Sequence, residues 1–391
     1  MVNVSSPRAA IMMVFAAFGT SVGAWAGAIP LVTDASHIDK YALGVGFTVS
    51  ALATVGAMSL GGYIGRHISN RAMLLATIPL VALVTMGLLL SSAPVPFFAW
   101  LILYGAILGI LDVFMNAEAS AIEHDVGRPI FTAFHGCVSL TIALFAILSS
   151  YVSNLYGPWA TSLAVIALLA LAWFMVYAQV PARLREAKPV DLQDIPASRL
   201  PLVLMGLIVG ISVAAETTSV FWSAKLLSEQ APNLAVIAGL GASFYGLCNA
   251  IMRFAGDRLR AIFGDLPLML ASLATAILGF TVLGISHSFA LSTLAFAGVG
   301  FGLAVLCPCI FNMAASEMPE NRAAGISFVS MVAGPPRIAA PWAFGWIATQ
   351  TSTSSAFGLC GIILTAAFLL VLCLRSVQAQ HRSASFATNV K

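Results

Sequence analysis

The stretch that decides the fold is "PFFAWLILYGAILGILDVFMN", residues 96–116, an apolar run that carries a single carboxylate. A bilayer core about 30 Å thick needs roughly 20 apolar residues as an α-helix, so the run predicts a membrane span. Asp112 and Asn116 lie inside it, one helical turn apart. An ionised aspartate at the centre of a span costs about 2.5–3.5 kcal/mol on insertion scales, which indicates a functional residue.

The composition of the whole chain excludes a soluble protein. The 391 residues are 60% hydrophobic and 8% charged, whereas soluble domains are roughly 25% charged. The chain could not cover a water-facing surface, and its expected surroundings are a lipid bilayer. All six cysteines fall inside apolar runs, so we expect neither a disulfide framework nor a metal site. The lysines and arginines form no basic cluster, and we expect no nucleic-acid partner.

Twelve segments match the length and composition of a membrane span, and the predicted fold class is therefore an all-α membrane protein. The first follows Arg8 and is interpreted as an uncleaved span, because its apolar run continues to Leu31. The segments lie near residues 9–31, 43–64, 72–92, 96–119, 131–154, 158–180, 201–222, 234–253, 266–285, 288–312, 324–347 and 355–374.

The basic residues indicate the orientation of these spans. Cytoplasmic loops are enriched in lysine and arginine. If both termini are cytoplasmic, fifteen of the 18 basic residues fall on that side, Lys40 and Lys225 fall on the other, and Arg337 lies inside a span. This distribution predicts a multi-pass protein of a bacterial inner membrane with both termini in the cytoplasm.

The chain divides into two halves of six spans. The longest hydrophilic connection, "PARLREAKPVDLQDIPASRL", follows the sixth span. We predict an N-terminal bundle at 1–180, a cytoplasmic linker at 181–200, a C-terminal bundle at 201–374 and a cytoplasmic tail at 375–391. A short turn with glycine and arginine follows the second span of each half, "GGYIGRHISNR" and "RFAGDRLRAIFGD". Their matched positions favour an internal repeat.

The twelve spans, the central linker and the two turns together resemble the major facilitator superfamily. The resemblance covers the whole chain and implies two pseudo-symmetric six-helix bundles with a substrate site between them at the bilayer midplane. It also implies that the turns take part in conformational gating. The turn residues are Gly65, Arg66, Arg71, Gly256, Asp257 and Arg258. Gly65 departs from the family pattern, in which an aspartate is usual.

Asp112 is the predicted proton carrier. Gly105, Gly109, Asp112 and Asn116 share one helical face, so the carboxylate points into the bundle or into a cavity. The alternative is a structural acid held by a hydrogen bond or an arginine. The segment "LDVFMNAEASAIE" resembles the fourth span of the fucose-permease-like branch, where an acid followed by an asparagine serves proton coupling. That branch carries a second acid in span one, and residues 9–31 contain none.

Glu216 is the candidate second acid. It is placed toward the outer end of span seven and shares a face with Ser212 and Ser219, and the following "FWSAKLL" also resembles the branch. An acid that reaches interfacial water near Lys225 is the alternative.

Arg337 lies in the middle of span eleven, too far from its end to reach the cytoplasmic face. Pro335 and Pro336 precede it and predict a kinked or opened helix. A buried guanidinium needs a partner, and this one could pair with Glu216 or Asp112 in one transport state. It could also hold a substrate carboxylate.

Four further residues are candidate contacts. His135 could relay protons or serve only as a packed hydrogen-bonding group. Trp25 could stack on a sugar ring or simply fill space. Tyr245 and Asn249 share a face of span eight and are candidate cavity residues together with Asn116.

The sequence therefore predicts a secondary transporter, not an enzyme, which takes up a small polar solute such as a sugar or sugar acid together with protons. It is expected to act as a monomer, without a cofactor, on the transmembrane proton gradient by alternating access. A proton-coupled efflux antiporter and a non-transporting membrane sensor or scaffold are the alternatives.

Overall fold

The protein is built from α-helices, as predicted. The computed structural model describes residues 5–65, 67–127, 130–182, 199–318 and 321–389. Within these residues the helices are α1 (Ser5–Ala35), α2 (Lys40–Ile64), α3 (Asn70–Leu89), α4 (Pro94–Val126), α5 (Phe131–Tyr156), α6 (Pro158–Gln179), α7 (Leu200–Gln230), α8 (Leu240–Phe263), α9 (Asp265–Ile285), α10 (Phe289–Leu303), α11 (Leu306–Glu317), α12 (Arg322–Val332), α13 (Gly334–Gln350) and α14 (Thr353–Asn389).

Eleven helical segments among the described residues are long and apolar enough to cross a membrane. One of them combines α10 and α11, which are separated only by a short break. The predicted span at 324–347 is made of α12 and α13, each too short to cross alone. Together they supply the twelfth crossing.

The break between α12 and α13 confirms the predicted opening of span eleven. α12 ends at Val332 and α13 begins at Gly334, directly before Pro335 and Pro336. Prolines have no N–H to donate, so they fit the first turn of a helix, where N–H groups lack helical partners. Arg337 follows at once, and its place in the first turn of α13 results from this break.

The helices pack as two groups, which we call the N-lobe (α1–α6) and the C-lobe (α7–α14). In the N-lobe, α1 packs on α5 and α6, and α4 on α2 and α3. In the C-lobe, α9 packs on α10 and α14, and α7 on α12 and α14. The lobes meet where α5 contacts α8, α2 contacts α13 and α1 contacts α7. The domain limits at 180, 200 and 374 stay a prediction, and residues 183–198 of the linker lie outside the described residues.

Successive crossings run in alternate directions, and their number is even, so the start of α1 and the end of α14 share one side, which we call the terminal side. The loops α1–α2 and α7–α8 lie on the opposite side, which we call the far side. On the far side, the lobes approach closely where α2 crosses α13. A Cβ on Gly44 would stand 2.7 Å from the carbonyl oxygen of Pro341 and 2.9 Å from the Cα of Gly345. Only glycine permits this contact between backbones.

The predicted gating turns lie on the terminal side. Gly65 caps α2, Arg66 lies outside the described residues, and Arg71 donates to the carbonyl of Tyr177 at 2.8 Å. Of the second turn, Gly256 is buried and Arg258 is exposed. Asp257 accepts a hydrogen bond of 3.0 Å from Thr132 on α5 and therefore links the two lobes.

The glycine contact between the lobes yields a stability prediction. Gly44→Ala should lower the thermal unfolding midpoint of the purified protein in detergent, because overpacking typically costs about 1–3 kcal/mol. Gly56→Ala is the matched control on the same helix, since a Cβ there meets nothing within 4 Å, and alanine favours the helix. Equal midpoints for the two variants would contradict the packing argument.

Candidate functional site

A cavity of about 340 Å³ lies between the two lobes, large enough for a small-molecule ligand. Helices α1, α2 and α4 of the N-lobe and α7 and α13 of the C-lobe supply its wall. The predicted Asp112 and Arg337 both line it, from opposite lobes. The other predicted cavity residues are elsewhere, as described below.

Asp112 reaches the cavity because small residues on its face let α2 approach. The Thr54 backbone and side chain lie directly against Gly109, and Thr54 Oγ1 donates to the carbonyl of Gly105 at 2.9 Å. One turn beyond Asp112, the amide nitrogen of Asn116 donates to Asp112 Oδ1 at 2.9 Å and to its backbone carbonyl at 2.8 Å. The Asn116 amide oxygen is buried and accepts no hydrogen bond from the described residues. Asn116 is therefore a direct partner of Asp112 and not a residue of the cavity wall.

Arg337 faces the cavity from the first turn of α13, and its side chain is exposed there. Among the described residues, no carboxylate oxygen lies within 4.0 Å of its guanidinium. Asp112 lines the same cavity from the opposite lobe and forms no ion pair with it. Of the two predicted pairings, the one with Glu216 is absent in this conformation and the one with Asp112 is not a direct contact.

Glu216 has a different partner. It lies in the middle of α7, not near the outer end where the sequence interpretation placed it. Its Oε1 is 2.7 Å from a guanidinium nitrogen of Arg253 on α8, and the two side chains are only 20% and 17% exposed. Asn249 Nδ2 donates to the same carboxylate at 3.3 Å and lies 3.3 Å from the hydroxyl oxygen of Tyr245.

These residues form a network that crosses the interface between the lobes. Arg253 donates to Ser139 Oγ on α5 at 2.9 Å, and Ser139 Oγ donates to Asn249 Oδ1 at 2.9 Å. Arg253 also donates to the backbone carbonyl of His135 at 3.4 Å. A charged pair on the C-lobe is thereby hydrogen-bonded to a helix of the N-lobe.

The side chains of His135 and Trp25 do not line the cavity. The His135 ring packs against Phe15 at 5.3 Å and Phe131 at 5.1 Å, and only its carbonyl joins the network. Trp25 is fully buried against Phe47 and Phe97. Its ring does not line the cavity in this conformation and occupies the position that the space-filling alternative describes.

Sequence reasoning missed Arg253, which the charge count assigned to a cytoplasmic loop. The structure places it inside α8, which continues to Phe263. A signal was present, because Tyr245, Asn249 and Arg253 follow each other at spacings of four and so share one helical face. An arginine that continues a polar face belongs to that face even near the end of an apolar segment.

The far end of the cavity is closed by aromatic rings from both lobes. Phe47 of α2 stacks on Phe221 of α7 with ring centroids 5.3 Å apart, and Trp222 meets Phe47 at 6.0 Å. Two ion pairs join the lobes farther toward the far side. Lys40 lies 3.1 Å from Glu229, and Lys225 lies 3.1 Å from Asp34. In this conformation, both layers separate the cavity from the far side.

The arrangement of the helices is similar to that of solved transporter structures. The structure of the nucleoside transporter NupG (D323A mutant) superposes with a TM-score of 0.75 at 13% identity, over 95% of this chain and 99% of that one. The chain has the fold of the major facilitator superfamily. A second NupG structure, also 13% identical, gives a TM-score of 0.69 over 96% of this chain and 99% of that one.

Sequence comparison agrees with the superfamily. Residues 202–388 match the family description "Major Facilitator Superfamily". An uncharacterized MFS-type transporter of Yersinia pestis is 27% identical over 92% of this chain and 93% of its own length. The membrane protein MosC of Rhizobium meliloti is 26% identical over 93% of this chain and 88% of its own. These matches support a membrane transporter of the superfamily. They do not confirm the resemblance to the fucose-permease-like branch.

The Glu216–Arg253 pair yields a second stability prediction. Removal of one member of a buried ion pair typically costs about 3–5 kcal/mol. We expect the lower end of that range for Arg253→Ala, because both side chains keep some exposure. Glu216→Gln combined with Arg253→Gln removes both charges and should recover part of the loss. The measurement is the thermal unfolding midpoint in detergent.

Arg258→Ala serves as the matched control, since Arg258 is an exposed residue of the same helix. If Arg253→Ala unfolds at the same temperature as this control, the pair contributes nothing to stability.

Proposed function

We propose that this protein is a proton-coupled secondary transporter that takes up a small polar solute, such as a sugar or sugar acid, by alternating access. The supporting observation is that Asp112 and Arg337, two of the three charged residues predicted from the sequence to do this work, line one cavity from opposite lobes. Ionisable side chains at membrane depth face cavities or partners because lipid cannot solvate them.

Asp112 is the proposed proton site. Its only described hydrogen-bond partner is Asn116, a side chain whose amide suits both protonation states. The NH₂ group donates to the carboxylate, as it does here. When Asp112 is protonated, rotation of the amide presents the oxygen that accepts no hydrogen bond from the described residues. The site can thus hold or release a proton while its neighbour stays hydrogen-bonded.

The lobes would rock about the central cavity. The conformation described here is closed on the far side by aromatic rings and ion pairs, so solute exchange would take place from the terminal side. Opening the far side would separate these contacts. Solute and proton would favour that change by binding the two conformations with different affinities.

The Glu216–Arg253 pair is proposed as a switchable link between the lobes and not as a second proton site. The hydrogen bond from Arg253 to Ser139 and the one from Ser139 to Asn249 cross the interface between α8 and α5. A rotation of the lobes would have to break or exchange these bonds. His135 would contribute through its backbone carbonyl.

The alternatives remain an exporter that uses the same acid as an antiporter, and a sensor or scaffold without flux. We propose the bacterial inner membrane as the location, with the termini in the cytoplasm and the monomer as the working unit. A neutral sugar is the solute that the resemblance to the fucose-permease-like branch suggests. Nucleosides belong in any solute panel because NupG, a nucleoside transporter, shares the fold.

Asp112→Asn tests the proposed coupling. The variant should lose accumulation of solute driven by an inward proton gradient in reconstituted vesicles, because asparagine cannot carry the proton. Exchange of labelled for unlabelled solute should persist. The solute is chosen beforehand by thermal-shift screening of sugars, sugar acids, nucleosides and monocarboxylates.

Asp125→Asn, at an exposed position of the same helix, is the control and should accumulate solute normally. Full accumulation by Asp112→Asn would remove Asp112 from the mechanism. Solute efflux under the inward proton gradient would establish the antiporter, and the absence of solute-dependent proton movement for every compound would favour the sensor.

A further inference from the structure

The cavity offers few free hydrogen-bond donors. Three of its hydroxyls already donate to backbone carbonyls: Ser50 to Leu101 at 2.9 Å, Thr54 to Ser50 at 2.8 Å, and Thr217 to Val213 at 2.9 Å. A sugar carries a hydroxyl on almost every carbon, and each hydroxyl left unpaired away from water costs binding free energy. The wall is therefore poorly suited to a polyhydroxylated solute.

Most of the remaining wall is apolar. The lining side chains without a polar group are Phe18, Val22, Phe47, Ala51, Val55, Met58, Leu108, Phe221, Ile338 and Pro341. Such a surface favours an apolar or aromatic body. Besides the hydroxyls of Tyr104 and Thr218 and the indole N–H of Trp222, the polar groups left in the wall are the charged side chains of Asp112 and Arg337.

Arg337 supplies the polar recognition. Its guanidinium faces the cavity, and no carboxylate of the described residues lies within ion-pair distance. Guanidinium groups bind carboxylates through two parallel hydrogen bonds. The contrast with Arg253, which has its own glutamate at 2.7 Å, indicates that Arg337 is left available for a ligand.

The charge of the empty site adds a second constraint. With Asp112 ionised and Arg337 charged, the cavity is neutral. A bound monoanion would leave one uncompensated negative charge in a medium of low polarity, where such a charge is unfavourable. One proton on Asp112 restores neutrality. A neutral solute bound with a proton would instead leave a net positive charge.

We infer that the substrate is a monocarboxylate with an apolar or aromatic body, which binds Arg337 together with one proton on Asp112. The inference rests on the proposed function, because it assumes that Asp112 is the proton site. It keeps the carboxylate of the sugar-acid alternative and replaces the polyhydroxylated body. Binding is then electroneutral.

The groups around Asp112 are consistent with this coupling. Arg337 lines the same cavity from α13, and Tyr104 lines it two turns away on α4. Glu118, the next acid along α4, accepts a hydrogen bond of 3.0 Å from Asn70 on α3 and does not line the cavity. A change of charge at Asp112 therefore acts first on Arg337 and on the ligand.

Binding in detergent tests the substrate class without transport. The probes are benzoate and phenylacetate, with benzamide and galactose as neutral compounds. We expect both acids to raise the thermal unfolding midpoint and benzamide to have a much smaller effect. Arg337→Gln should weaken benzoate binding about ten- to a hundredfold, the usual range for a charged hydrogen bond. Arg322→Gln, an exposed arginine of the same span, should bind benzoate as the original chain does.

Proton uptake tests the coupling. In weakly buffered detergent solution with a pH indicator, benzoate binding should take up about one proton per site at a pH where Asp112 is ionised. Asp112→Asn should bind benzoate at least as tightly and take up none, because asparagine mimics the protonated acid.

The two hypotheses fail in different ways. Stabilisation by galactose or benzamide equal to that by benzoate, absence of binding by both acids, or unchanged affinity in Arg337→Gln overturns the monocarboxylate inference. Arg337-dependent benzoate binding without proton uptake leaves the substrate class standing and removes Asp112 as the proton site. Proton uptake on binding of galactose, but not of benzoate, overturns the monocarboxylate inference and leaves the proposed proton coupling standing.

Discussion

The constraint on which this structure depends is that hydrocarbon cannot solvate charge or an unpaired polar group. With 8% of its residues charged, the chain carries few charged groups at membrane depth, and four of them, described above, face a cavity or a partner. Asp112 and Arg337 share the cavity between the lobes, and Glu216 and Arg253 hold each other. Two pairs of opposite charge thus satisfy one requirement in different ways. A direct ion pair stabilises one arrangement of the helices, whereas charges separated by a cavity leave room for a ligand and a proton.

The two charge pairs also connect the lobes in different ways. The cavity pair joins α4 to α13 only through an open space, so a ligand can complete the connection. The Glu216–Arg253 pair is hydrogen-bonded to Ser139 on the opposite lobe, so the lobes are connected even when the cavity is empty. On the far side, the Gly44–Gly345 contact and the ion pairs hold the lobes together. The proposed alternating access would need contacts strong enough to define each conformation and local enough to be exchanged when the lobes rotate.

Much of the fold could be predicted because the bilayer places one simple requirement on every segment that crosses it. A span must be apolar for roughly 20 residues, and that signal is local. The break before Arg337 was also predictable, because Pro335 and Pro336 remove local hydrogen-bond donors. Of the candidate site, Asp112 and Arg337 were predicted from their cost in hydrocarbon alone. The partners of Glu216 could not be found in that way, because they depend on which helices become neighbours.

By itself, the sequence determined the all-helical class, the number of crossings and the identity of the charges that must be protected from lipid, since these follow from composition along one segment at a time. Tertiary structure decided which charges meet. It brought Arg253, and not Arg337, to Glu216, and it packed Trp25 where its ring does not line the cavity. Helix rotation and depth are set by packing against other helices, so a residue's partner is a property of the assembled lobes and not of its own span.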